Sequence, residues 1–177
     1  VLSSAGSLTI SDCFVRHFQN AGIFLNPIGA LNFLVSNTIS ADNGNGIIIS
    51  STSAAKGVVD RFTASNNNNG IFIEAPGNVS ILNSVLMNNN IVGVAAVTSG
   101  LTVIARKSVA NNNGGGNGVG FNVANGATLT LADSMATGNP QAGIYISGGT
   151  VYSYGDNEIN GNGTDVTGGT LTSVAKR

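Results

Sequence analysis

Asn69-Gly70-Ile71-Phe72-Ile73 sets an asparagine corner and a glycine ahead of three large apolar residues. The same cassette occurs as Asn20-Ala21-Gly22-Ile23-Phe24-Leu25 and Asn45-Gly46-Ile47-Ile48-Ile49 on the amino-terminal side. On the other side it continues as Gly93-Val94-Ala95-Ala96, Asn117-Gly118-Val119-Gly120-Phe121, Gly143-Ile144-Tyr145-Ile146 and a degenerate Gly163-Thr164-Asp165-Val166. Its glycines step by 24, 24, 23, 25, 25 and 20 residues. A sustained period of this length marks a chain built from stacked units, each burying its apolar residues only against its neighbours.

Each unit contains three short runs of alternating apolar residues separated by polar corners. In the first they are Leu8-Thr9-Ile10, Cys13-Phe14-Val15 and Ile23-Phe24-Leu25; in the sixth, Leu129-Thr130-Leu131, Ser134-Met135-Ala136 and Ile144-Tyr145-Ile146. The alternation has the two-residue period of a strand, and Asn, Gly, Val, Ile and Thr are poor helix formers. Three strands and three corners per unit make one turn of a parallel β-helix. The expected fold is therefore all-β: one single-stranded solenoid over residues 1–177, with about seven coils and three parallel sheets. At roughly 4.8 Å per coil the rod is about 34 Å long.

Composition narrows the function. The 177 residues include 25 Gly and 25 Asn but only 7 Lys+Arg and 8 Asp+Glu. So few cations leave no footprint for nucleic acid or anionic lipid. No apolar run approaches the roughly 18 residues of a membrane span, and the lone Cys13 excludes an internal disulfide framework. A hydrophobic share of 42% is too high for a disordered chain. Glycine and asparagine are instead expected at the corners, where they adopt the left-handed region at least cost. Stacked asparagines, as in the runs at 66–69, 88–90 and 111–113, can also hydrogen-bond along the axis. The corner between the Leu8-Thr9-Ile10 type of strand and the next aligns Asp12, Asn37, Arg61, Asn83, Arg106 or Lys107, Asp133 and Asp156, so that Arg106 and Asp133 can pair between coils.

With these repeats in view, the chain resembles right-handed parallel β-helix repeat proteins, the pectate-lyase-like superfamily, over essentially its whole length. Residues 6–16 and 153–162 are similar to segments of bacterial β-helix repeat proteins that mostly lack an assigned function. The resemblance implies right-handed winding and an exported protein, extracellular or periplasmic, in a bacterium. In that family such segments usually follow further amino-terminal coils. This sequence begins mid-pattern with neither an initiator Met nor a signal peptide, so upstream coils, a cap or an end-to-end contact is expected to cover its first coil.

In the enzymes of this superfamily the chemistry lies on the outer face of the sheet that corresponds to the Gly-Ile-x-Ile strands. Inward residues of that sheet are expected to be Ile23/Leu25, Ile47/Ile49, Ile71/Ile73, Val94/Ala96, Val119/Phe121 and Ile144/Ile146. Outward positions then carry Phe24, Ile48, Phe72, Ala95, Gly120, Tyr145 and Asp165, followed by Asn26, Ser50, Glu74, Val97, Asn122, Ser147 and Thr167. Its two carboxylates, Glu74 and Asp165, stand four coils or about 19 Å apart, beyond the roughly 6.5–9.5 Å of an inverting glycosidase pair. The face instead offers an apolar stripe for an interface or for stacked sugar rings. Phe24, Phe72, Glu74 and Tyr145 are the candidate ligand-binding residues.

Weaker signals complete the reading. Asp156-Asn157-Glu158-Ile159-Asn160-Gly161 has the outline of a calcium loop, but Glu158 and Thr167 depart from its pattern. Gly114-Gly115-Gly116-Asn117-Gly118 lacks the Gly-Lys-Ser/Thr of a phosphate loop and is a widened corner. His17 is expected on the surface and Cys13 inside as a small hydrophobe. No metal or cofactor is implied and no catalytic residue is assigned. The expected role is a non-catalytic scaffold or recognition module whose partner is a polysaccharide or a second copy, without nucleic acid or membrane insertion. The alternative is a polysaccharide lyase or glycoside hydrolase whose catalytic residues lie outside this segment or on lateral loops.

Overall fold

The structure, a computed structural model, describes residues 6–176. Each coil gives one strand to each of three sheets, and all strand pairs of the three sheets are parallel. Sheet I has eight strands, from Ser7–Ser11 through Leu101–Arg106, Thr128–Ala132 and Thr150–Ser153 to Leu171–Ser173. Sheet II has seven, from Phe14–Arg16 to Glu158–Asn160, and sheet III has seven, from Ile23–Leu25 to Val166–Thr167. The chain is thus a parallel β-helix of seven coils with an added eighth strand on sheet I. One apolar core runs up its centre, including Ile47, Ile71, Phe121, Val79, Leu86 and Leu129.

Two corners do more than turn the chain. Between sheets I and II, Asp12, Asn37, Arg61, Asn83, Lys107 and Asp133 all adopt the left-handed conformation, with φ between 47° and 55°. Lys107, not Arg106, therefore belongs to this column, and Arg106 ends the preceding strand with its side chain on the surface. In the seventh coil Gly155 takes the left-handed conformation and Asp156 follows it as one added residue. Just inside the corner, hydroxyls pass hydrogen bonds from coil to coil: Ser84 N–H donates to Ser108 Oγ at 3.4 Å and Ser108 N–H to Ser134 Oγ at 3.2 Å. Phe62 interrupts the series, and Cys13, expected inside, is exposed because it holds this position in the first described coil, which no other described coil covers on its amino-terminal side.

The corner between sheets II and III carries an asparagine ladder. His17, Asp42, Asn66, Asn88, Asn112, Gly138 and Gly161 take the left-handed turn, with the His17 side chain exposed as expected. The next residue in six coils is Asn43, Asn67, Asn89, Asn113, Asn139 or Asn162, and the first five are buried. Asn89 N–H donates to Asn113 Oδ1 at 3.1 Å, and Asn113 Nδ2 donates back to Leu86 O at 3.0 Å. The same exchange repeats at Asn67/Asn89 and Asn113/Asn139. Each amide thus fills a backbone vacancy that the turn creates inside the rod, where an unpaired group is costly.

The recurring glycine answers to crowding. A Cβ on Gly70 would stand 2.5 Å from Gly93 O, and one on Gly93 would stand 2.7 Å from Gly120 O. The fifth member of this column is Gly120, not Gly118, because the widened corner at 114–118 shifts the alignment by two residues. Phe121 and Val123 consequently point inward and Asn122 outward, whereas Val119, expected inside, joins an apolar cluster on the outer face. In the seventh coil Thr167, not Asp165, aligns with Tyr145.

Candidate functional site

On the outer face of sheet III the strand register stacks Phe24, Ile48, Phe72, Ala95, Asn122, Tyr145 and Thr167 in one axial column. Phe72, Val97 and Tyr145 pack against Val92, Ala95, Val119 and Ala142, which are buried although they lie outside the central core. The candidate residues Phe24, Phe72 and Tyr145 are therefore half-buried members of a shallow apolar strip. Glu74, also a candidate, is exposed two residues beyond Phe72. Phe72 and Tyr145 are three coils, about 14 Å, apart. Asn122 divides the strip, its side-chain oxygen buried and without a hydrogen-bond partner among the described residues. Asp165 lies at the preceding corner, where it accepts a hydrogen bond from Asn162 Nδ2 at 3.2 Å. Among the described residues the face therefore holds no pair of converging carboxylates.

Two ion pairs lie at corners away from this face. Arg61 meets Asp60 at 2.7 Å and Asn37 at 2.5 Å between sheets I and II. Arg16 meets Asp42 at 3.0 Å between sheets II and III. Glu74 stands apart from both pairs, exposed at the carboxyl end of its sheet III strand.

A second site was not legible in the sequence. At the carboxyl-terminal end of sheet I, residues 174–176 turn back along the rod, Val174 N–H donating to Ser153 O at 2.9 Å. Between this tail and the sheet lies a groove of about 620 Å³ with Ile104, Thr130, Tyr152, Tyr154, Arg106 and Asp133 on its walls. Lys176 closes the end of the groove: it lies 3.5 Å from Asp133 and forms a closer ion pair with Asp156. Arg106 Nε stands 3.8 Å from the other oxygen of Asp133, the pairing expected from the corner alignment. Asp156, suggested by the calcium-like pattern, is thus committed to a lysine. Only the Arg106–Asp133 proximity was visible beforehand, because Lys176 comes from 43 residues beyond Asp133.

The ammonium of Lys176 holds the Asp156 carboxyl at about 2, below its ordinary 3.8, while Asp156 raises Lys176 in turn. A carboxyl held below its unfolded value stabilises the folded form above that value and loses the contribution as acid protonates it. The tail is accordingly expected to stay docked above about pH 4 and to loosen progressively as pH falls towards 2. Amide exchange at 174–176 would show this, and Lys176→Met should return the Asp156 titration, followed by carboxyl NMR, towards the ordinary range. An unmoved Asp156 titration in that variant would contradict the clasp.

Among known proteins, a family model described as "Right handed beta helix region" matches residues 1–164. No curated protein and no solved structure matches the chain.

Proposed function

The chain belongs to the right-handed β-helix family, and from that premise we propose that it is a non-catalytic recognition module, exported from a bacterium, that binds a saccharide chain along the outer face of sheet III. The observation that carries this reading is the axial column of Phe24, Ile48, Phe72 and Ala95, continued past Asn122 by Tyr145, on a parallel sheet whose described residues include no converging carboxylates. Half-buried rings offer one face for stacking while the packing beneath holds them in place, which limits the entropy lost on binding. Glu74 supplies an acceptor for sugar hydroxyls beside Phe72.

An immobilised panel of neutral and acidic polysaccharides tests the proposal. The wild-type protein is expected to be retained on at least one glycan, and Phe72→Ala or Tyr145→Ala should each weaken that binding roughly two- to tenfold. The same glycans, incubated with the protein, should release neither reducing nor unsaturated ends. Retention on none of them overturns the saccharide reading, and reproducible release of new ends replaces the module with an enzyme.

A further inference from the structure

We propose that the groove between the carboxyl-terminal tail and sheet I binds an aromatic ligand that carries a single carboxylate. The site is on a different face from the strip on sheet III and does not depend on the saccharide reading. Its floor follows from the stacking of coils: Ile104, Thr130 and Tyr152 are register partners on three successive strands, so their outward side chains form one row. Tyr154, two residues beyond Tyr152, lies beside that row, and Ile104 is 43% exposed. Two phenol rings and two aliphatic side chains, Ile104 and Val174, make this concavity suited to a flat apolar ring.

The charge follows from how the ionic groups are shared. Asp133 lies near two cations, Arg106 and Lys176, and Lys176 is also engaged by Asp156. Arg106 is the cation with capacity to spare: its side chain is 60% exposed, and its approach to Asp133 at 3.8 Å exceeds hydrogen-bond reach. A planar guanidinium at the edge of an aromatic groove matches a ligand carboxylate, which can accept two of its N–H groups together. Arg106 and Lys176 are balanced by Asp133 and Asp156, so the groove has no net charge and a ligand carboxylate is drawn by the exposed Arg106 guanidinium itself rather than by a positive field.

A matched pair of probes separates the ring from the charge. 2-Naphthoate and its neutral isostere 2-naphthamide, about thirteen heavy atoms each, should bind at roughly millimolar Kd. Ligand-observed NMR on the full chain is expected to show naphthoate bound roughly three- to fivefold more tightly than naphthamide, the range an exposed ion pair supplies. Arg106→Ala should abolish that preference, and Tyr152→Ala should weaken both ligands. Phe72→Ala, on the other face, should alter neither. Equal binding of the two probes to the wild-type protein, a preference that survives Arg106→Ala, or ring resonances of Tyr152 and Tyr154 unmoved at saturation would each overturn the assignment. Thermal midpoints of the two groove variants close to that of the wild type would exclude misfolding as the cause of lost binding.

Discussion

Asn113→Ala is expected to cost about 3–5 kcal/mol, placing it among the most damaging single substitutions available to this chain. Asn113 is completely buried. Its Oδ1 accepts from the backbone N–H of Asn89 at 3.1 Å and from Asn89 Nδ2 at 3.0 Å. Its Nδ2 donates to Leu86 O at 3.0 Å and to Asn139 Oδ1 at 3.1 Å. Alanine leaves these partners facing a small apolar void that cannot replace the bonds. For a chain of this size the loss corresponds to roughly 10–15 °C in thermal midpoint. Asn112→Gly one residue earlier is the control: Asn112 is exposed and only sets the turn at φ 51°, which glycine adopts freely, so the midpoint should hardly move. Asn113→Asp keeps the acceptor but turns a second oxygen towards Leu86 O and Asn139 Oδ1. Burial and those facing oxygens raise the folded-state pKa of the introduced carboxyl, so Asn113→Asp should be severely unstable near neutrality and recover stability as acid protonates it. Equal midpoints for the two alanine- and glycine-substituted chains would refute a ladder that carries stability.

Gly70→Ala should cost about 3 kcal/mol for a different reason. Gly70 does not have positive φ, so the backbone itself would accept an alanine. What opposes it is space: the new Cβ would stand 2.5 Å from Gly93 O and 3.1 Å from Asn89 Nδ2. The first is rigid backbone of the adjoining coil and the second is a rung of the ladder, so relief requires two coils to separate and their shared hydrogen bonds to lengthen. Gly116, in the widened corner, has open space where a Cβ would go. Gly116→Ala is therefore expected to be neutral or slightly stabilising, by up to about 1 kcal/mol, through the unfolded chain. Chemical denaturation of the two variants side by side decides whether the glycine column is kept by crowding; a Gly70→Ala midpoint matching wild type would refute it.

The Ile/Val alternation and the glycine period were enough to read seven coils and three sheets, because each coil repeats one solution to one burial problem. Where a corner takes extra residues the period no longer reports alignment. The residues at 114–118 therefore hid that Gly120 replaces Gly118 in the column and that Val119 faces out. The asparagine corner was visible as a run, yet a run does not tell which member turns and which lies inside. The distinguishing signal is substitution across coils: the turning position varies among His17, Asp42, Asn66 and Gly138, while the position after it holds asparagine from Asn43 to Asn162. The strip on sheet III was legible because its residues follow the repeat. The groove at Tyr152 was not, since its wall comes from the tail at 174–176, where the repeat stops and Lys176 meets Asp133 and the added residue Asp156.

The direction of the ladder bears on how the rod assembles during synthesis. Each buried asparagine accepts a hydrogen bond from the coil made before it and donates one back to that same coil, as Asn89 does with Asn67 N–H and Ala64 O. A newly made coil therefore brings the amide that completes its predecessor, and exposes in its own corner the vacancy that its successor will fill. However many coils have formed, this side of the growing rod has a single unfinished corner at its advancing end. Elongation can then add coils one at a time from the amino end, each closing the last, without awaiting residues from the distant end of the chain.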